Sequence, residues 1–396
     1  MRLLRVEVPK FRALENVVID FEPDFTPQVF PLGSLNGGGK STLLQLIFVL
    51  LHHSLNKTAL KNISELINDY NLTEFSKLAS ITILSKNHGK VCLEYFYGKE
   101  NDILNNLNIT ESFLFNGLTY YYVEEEKHLI LAFYIPYFFI LVKFLDYQNI
   151  LGNLKEELKK EKNRSTSKKI EKLLNPLNEI FYEIHIKTFL ISPSNQPYLF
   201  LSREERRALF SKENKPKYDQ AVKNVEETLP NFFTFDFVDI LVEVFRRARA
   251  KDFKERNKEN PFFHTEKLED DINSLFIDGK KINSLIIEQQ RHTQDEIQGV
   301  FFTLPSGQEV YPEDLSHGEL KRLAIFVLIK YHEMQDAIVL IDEIENGFHP
   351  DWQRHIVDDL VEWGASNQYI LATHSYELCR GVTAAHVKDL DPKLSY

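Results

Sequence analysis

Three glycines, a lysine and a serine stand together near the amino end of this chain, within Ser34-Leu35-Asn36-Gly37-Gly38-Gly39-Lys40-Ser41-Thr42. Glycine lets consecutive backbone N–H groups turn toward one anion, and a following helix adds its positive end. In such a loop the stretch from Asn36 to Thr42 cradles a polyphosphate. Lys40 reaches the β- and γ-phosphates, and the Ser41 hydroxyl ligates Mg2+. Ser34 takes the place of the usual first glycine, directly after Gly33. A small residue serves at that position.

Three further strings fit the same chemistry. The run Ile338-Val339-Leu340-Ile341-Asp342-Glu343 is apolar and ends in two acids. That places Asp342 near the Mg2+ shell and Glu343 where an attacking water is polarised. Adjacent buried acids without a cation would be costly, which argues against a purely structural role. Leu315-Ser316-His317-Gly318-Glu319 puts Ser316 and Gly318 at a helix N-terminus, a second anion site. Ser316 and Glu319 also fit a capping box, which is compatible with anion binding. Thr373-His374-Ser375 closes another apolar run, and His374 suits a γ-phosphate sensor. His52, His53, His349 and His355 show no spacing that makes a metal site.

These residues need strands and helices to hold them. Met1–Asp24 reads as a strand, a turn near Phe11-Arg12-Ala13, and a second strand over Val17–Phe21. Val29–Leu32 leads into the glycine loop, and Thr42–Leu55 is an almost wholly apolar helix. Ile81–Leu84 and Val91–Tyr97 read as strands around the turn Asn87-His88-Gly89, with another over Thr119–Val123. From Tyr147 the texture changes. Leu151, Leu154 and Leu158, then Ile170, Leu173, Leu174 and Leu177, recur at helical spacing among Lys and Glu, which predicts a short coiled-coil hairpin. Ile184–Ile191 reads as a strand. Asp219–Thr228 and Val238–Lys258 read as helices, and Asn260-Pro261 stops the second. Val300–Leu304 is a strand, Glu319–Tyr331 a helix, Ala337–Ile341 a buried strand, Asp351–Trp363 a helix and Tyr369–Thr373 a buried strand.

The chain has 396 residues, enough for two domains or for one with a large insertion. Its two cysteines, Cys92 and Cys379, give no disulfide framework, and a reducing cytoplasm fits. The formal net charge of −11 disfavours wholesale nonspecific binding to nucleic acid but leaves room for a basic patch. The apolar stretch Leu129–Leu145 falls short of the roughly 20 residues a membrane span needs. Pro136 and Lys143 interrupt it. It reads as a strand followed by a buried or interface helix, with no membrane involved.

Taken together, these motifs resemble the ABC-type ATPase heads of the SMC, RecF and OLD families. The resemblance covers roughly residues 1–100 and 300–396. The order is that of Walker A, signature, Walker B, D-loop and switch histidine. Asp342-Glu343-Ile344-Glu345-Asn346-Gly347-Phe348-His349-Pro350 looks like the D-E-P-E-x-x-L-H-P of the OLD-like group, not the string of membrane transporters. Lys10-Phe11-Arg12 looks like the opening of SMC and RecF heads, where a basic residue approaches the ATP of its own subunit. That makes Arg12 a candidate. For the Q-loop glutamine, a nucleotide and Mg2+ contact, the candidate is Gln196, with Gln148 as the alternative. Gln45 lies inside the helix after the glycine loop and reads as packing.

The resemblance implies an α/β fold, an ABC-type P-loop ATPase head with a mixed β-sheet core. Residues 1–125 and 297–396 would form the head, interrupted by a mostly helical insertion over 126–296. It implies ATP and Mg2+ as ligands and hydrolysis of ATP. It also implies a homo-dimer, or a higher homo-oligomer, through an ATP sandwich. There Lys40, Ser41, Asp342, Glu343 and His374 of one subunit face Ser316 and Gly318 of the other, and Glu345–Gly347 couples the two sites. Twenty-two residues follow His374, which leaves no room for the Toprim nuclease of OLD proteins. The hairpin is far shorter than an SMC arm. The layout is most similar to ATPase subunits of bacterial anti-phage systems such as Septu and the retrons, where a separate effector protein, often a nuclease, does the damage. A RecF- or SMC-like DNA clamp is the alternative, and a transporter subunit is disfavoured. Nucleic acid is a candidate partner through the positive run from Arg246 to Lys258, although acids interleave it, and through the lysines of 155–172.

Overall fold

The computed structural model describes residues 1–33, 37–52, 75–98, 100–107, 111–115, 118–125, 128–135, 138–144, 166–235, 238–255, 260–276, 279–287, 296–332 and 334–390. Ser34, Asn36, His53, Gln148 and the first arm of the expected hairpin lie outside them. The chain folds as two compact units. The first is Met1–Phe233, Gln335–Ile344 and Ala365–Tyr396; the second is Thr234–Met334 and Glu345–Gly364.

The first unit opens with the hairpin β1 (Arg2–Phe11) and β2 (Leu14–Asp20), turned by Arg12 and Ala13. Strand β3 (Val29–Gly33) leads to helix α1 (Lys40–His52). Then follow β4 (Ser76–Ser85), β5 (Gly89–Tyr97), α2 (Glu100–Asn106), β6 (Glu111–Phe115), β7 (Leu118–Glu125), β8 (His128–Ile135) and β9 (Phe138–Phe144). Eight of these strands make an antiparallel sheet in the order β2-β1-β4-β5-β9-β8-β7-β6. Its alternation fixes which face is buried: Val6, Ile81, Leu93 and Val142 sit in register across four strands and are almost fully enclosed.

Beyond β9 come α3 (Thr166–Lys187), β10 (Thr188–Ser192), α4 (Arg203–Ala208), α5 (Lys215–Thr228) and β11 (Phe232–Thr234). The second unit carries α6 (Val238–Glu255), α7 (Phe263–Asn273), β12 (Lys281–Ile287), β13 (Glu296–Thr303), β14 (Glu309–Val310) and α8 (His317–Tyr331). The chain returns to the first unit for β15 (Ile338–Asp342), to the second for α9 (Pro350–Gly364), and ends in the first with β16 (Gln368–Ala372), α10 (Tyr376–Cys379) and β17 (Lys388–Asp389). The second sheet of the first unit runs β11-β10-β15-β16-β3-β17. Its pairs from β10 to β17 are parallel, and β10, β15 and β16 are buried at every residue, as continuous apolar runs require. Helix α1 packs on this sheet and is buried almost all round, from Leu43 to His52. In the second unit, strands β12, β13 and β14 form a small antiparallel sheet. Helices α8 and α9 are joined by Arg322, which donates to both carboxylate oxygens of Asp359 at 2.8 and 3.0 Å.

Two expectations are corrected. Leu129–Leu145 is not strand then helix; β8 and β9 are hairpin strands paired from Leu129↔Phe144 to Ile135↔Phe138. Pro136 lies outside the described residues. Residues 184–187 are helical, because Leu177, Ile180, Phe181 and Ile184 continue one buried helical stripe, and the strand begins at Thr188. Within residues 126–296, β8 and β9 belong to the large antiparallel sheet and β10 to the parallel one. No helix among the described residues is long and apolar enough to cross a membrane.

Candidate functional site

Parallel pairing brings the key strand ends to one edge. Leu32 of β3 is in register with Ala372 of β16, Ala372 with Asp342 of β15, and Ile341 of β15 with Ile191 of β10. The glycine loop, Thr373-His374, Glu343 and the Ser192-Pro193 turn therefore all leave the same edge. Open α/β sheets bind ligands there, beyond the carboxyl ends of parallel strands.

The loop delivers Lys40 and Ser41 at the start of α1. Gly37 and Gly39 have left-handed φ values of 82° and 85°. Gly39 is also short of space, because a Cβ there would lie 2.7 Å from Leu14 Cδ2 and 3.7 Å from Ala13 Cβ. The β1–β2 turn thus packs against the loop, which puts exposed Arg12 beside it. Arg12 has a left-handed φ of 54°. Gly38 is buried, and Thr42 continues the helix.

Ser41 Oγ donates to Asp342 Oδ1 at 3.0 Å. Lys40, only 5% exposed, approaches His374 Nδ1 with its Nζ at 3.4 Å. A fully buried carboxylate, a nearly buried ammonium, a hydroxyl and an imidazole are thus gathered at one strand edge. Glu343 adopts a left-handed φ of 49°, and its N–H donates to Ala372 O at 2.9 Å. This holds the acid at the end of β15 against β16. His374 is exposed, and Ser375 after it caps α10 by accepting from Leu378 N at 3.1 Å. Ser41 Oγ and Asp342 Oδ1 are two neighbouring oxygens of the kind that could hold a divalent cation.

Gln196 follows β10, beside the Asp342 strand. Its Nε2 donates to Ser192 Oγ at 2.9 Å, so its side chain is folded back on its own turn. The turn is held by groups that sequence reasoning missed. The Tyr198 hydroxyl donates to Pro193 O, and the Tyr218 hydroxyl to Gln196 O. Gln45 Oε1 of α1 accepts from Leu199 N at 2.8 Å. Gln45 therefore ties the phosphate-loop helix to the turn carrying Gln196, rather than merely packing. Burial raises the Tyr198 hydroxyl well above its ordinary range, with Tyr218 adding to the effect, which keeps it a proton donor. No sequence motif marks these contacts.

Ser316 and Gly318 belong to the second unit. Ser316 caps α8, accepting from Glu319 N at 3.3 Å, while Glu319 Oε2 accepts from Ser316 N at 2.9 Å and from its Oγ at 2.7 Å. Lys280 donates to Glu319 Oε1. Burial alone would raise the Glu319 carboxyl, but Lys280 and Ser316 outweigh it and hold it below the usual range. A Cβ on Gly318 would sit 2.5 Å from Gly347 O, so the start of α8 and the turn at Gly347 touch within this unit. Buried Lys321 reinforces the contact by donating to Asn346 O at 3.2 Å. The other candidate histidines among the described residues make contacts of their own. His52 Nε2 lies 2.7 Å from Thr188 O, and His349 and His355 lie beside Asp351 and Asp358.

A family model described as AAA ATPase domain matches residues 1–379. A relative named "Retron Ec83 probable ATPase", from Escherichia coli, is 37% identical over 51 residues, which is 13% of this chain and 9% of that protein. Among solved structures, an SMC head bound to the C-winged helix domain of ScpA is similar over 96% of this chain and 93% of its own, at 12% identity and a TM-score of 0.45. The SMC head domain from Thermotoga maritima is similar over 96% and 92%, at 11% identity and a TM-score of 0.41.

Proposed function

The chain belongs to the AAA ATPase domain family and is a nucleotide-binding ATPase, and we propose that it works as a sandwich dimer with ATP at the interface. The observation that carries this reading is the division of the motifs. Lys40, Ser41, Asp342, Glu343 and His374 are gathered in one unit, while Ser316 and Gly318 stand in the other. In the proposed dimer the phosphates rest on the N–H groups of Asn36 to Thr42, and Lys40 meets the β- and γ-phosphates. Ser41 and Asp342 would hold Mg2+, with Gln196 as a further ligand if its side chain left Ser192. Bound Mg2+ would neutralise phosphate charge. Arg12, beside the loop, meets the triphosphate of its own subunit.

Hydrolysis is then an in-line displacement. Glu343 accepts a proton from water as its oxygen attacks the γ-phosphorus. The bond from that phosphorus to the bridging oxygen breaks, and ADP leaves with the electron pair. His374 senses the γ-phosphate, and Ser316 and Gly318 of the partner subunit complete its coordination. Glu343→Gln should bind ATP without turning it over, and so accumulate as a dimer in sedimentation with ATP but not ADP. No change of size with ATP would count against the sandwich.

The ATPase cycle, in this reading, controls a separate effector, a nuclease, in anti-phage defence. The short match to a retron ATPase supports this. Stable co-purification with a small nuclease tests it. The second reading, a DNA clamp, is favoured by one observation: Arg246, Arg247, Lys251 and Lys254 are exposed along α6, beside a 55% exposed Phe253. DNA binding that weakens with salt and strengthens with ATP would favour it.

A further inference from the structure

Among the described residues, two helices start with the same Ser-x-x-Glu box, and only one of these carries a lysine on it. At α4, Ser202 N donates to Glu205 Oε2 at 2.8 Å and Glu205 N to Ser202 Oγ at 3.3 Å, and among the described residues no cation pairs with Glu205. At α8 the box is likewise complete using Oε2 of Glu319 alone. Oε1 is surplus to capping, and Lys280 occupies it. Lys280 and Glu319 are 15% and 16% exposed. Desolvating an ammonium this far is costly, and a helix cap does not require it.

The difference between the helices is their task. An uncompensated carboxylate at the start of α8 would repel an incoming phosphate and oppose the positive end of the helix. The Ser316 hydroxyl also points its proton at that carboxylate. We propose that Lys280 is a positioning residue of the signature pocket. It compensates and fixes Glu319, so that the Ser316 hydroxyl can turn its proton to the γ-phosphate of an ATP held by a second copy of this chain. Lys280 stands between Gly279, at a left-handed φ of 78°, and the start of β12, far in sequence from the signature. This inference rests on the sandwich reading above.

The test uses the full chain in a Glu343→Gln background, and measures two quantities: ATP affinity at high dilution, and the ATP-driven monomer–dimer constant by sedimentation. Lys280→Met should weaken dimerisation at least about tenfold, through lost charge compensation, with ATP affinity unchanged. Lys280→Arg should restore it. Lys280→Met with Glu319→Gln should also recover, because a Gln still completes the cap while the repelling charge is gone. Intact tryptophan fluorescence excludes misfolding of the second unit. An unchanged dimer constant in Lys280→Met overturns the inference, as does an equal loss of ATP affinity or a double variant no better than the single. If Glu343→Gln itself does not dimerise with ATP, the sandwich reading fails instead.

Discussion

Ser41 and Asp342, 301 residues apart in sequence, meet through a 3.0 Å hydrogen bond from Oγ to Oδ1. That contact joins the start of α1 to the end of β15. Ser41→Ala should leave the fold intact but lower Mg2+-dependent ATP turnover by at least about tenfold, by removing one oxygen of the pair. Ser41→Thr should keep most activity. Steady-state phosphate release across a Mg2+ titration checks both.

Lys40 should dominate nucleotide affinity. It is 5% exposed and stands 3.4 Å from His374. Lys40→Ala should weaken ATP binding by about 10- to 100-fold, the loss expected for one charge-assisted contact. Titration calorimetry reads this directly, and unchanged affinity would mean that the phosphate site is elsewhere.

Gly318 should not tolerate even a methyl group. The added Cβ would lie 2.5 Å from Gly347 O and 3.2 Å from Trp352. Gly318→Ala should destabilise the second unit by about 1–3 kcal/mol, as overpacking does. Both tryptophans, Trp352 and Trp363, lie in that unit, so urea unfolding followed by their fluorescence measures it.

His332, at the end of α8, gives the second unit an acid-sensitive step. Burial pushes its imidazole down from 6.5 to about 4, with Arg247 adding to the effect and Glu243 opposing it. The folded chain then keeps it neutral while the unfolded chain protonates it below pH 6.5. Its contribution is full above pH 6.5 and falls as pH drops toward 4, by on the order of 3 kcal/mol. His332→Gln should flatten the pH dependence of the tryptophan-monitored unfolding midpoint across that window.

Contiguous chemistry was legible in the sequence, and long-range chemistry was not. Gly37 to Ser41 and Asp342-Glu343 each follow a short apolar run in sequence, and each stands just beyond or at the end of a buried strand, β3 or β15. The tie from Gln45 to Leu199 spans 154 residues and has no local sign, so Gln45 read as packing. The hydroxyls of Tyr198 and Tyr218, and the Lys280 pair with Glu319, were hidden for the same reason. Leu129–Leu145 misled because a short apolar run with a central Pro fits a hairpin as well as a strand and helix. Ile184 misled because its β-branched neighbours mask a stripe that begins at Leu177.

The most direct measurement mixes two inactive variants. Lys40→Ala disables the phosphate loop, and Ser316→Arg disables the signature. In a sandwich, their hetero-dimer holds one intact pocket, built from the loop of one copy and the signature of the other. Neither variant alone should hydrolyse ATP, and the mixture should regain activity that falls on dilution. A silent mixture, or full turnover by Ser316→Arg alone, would contradict the account.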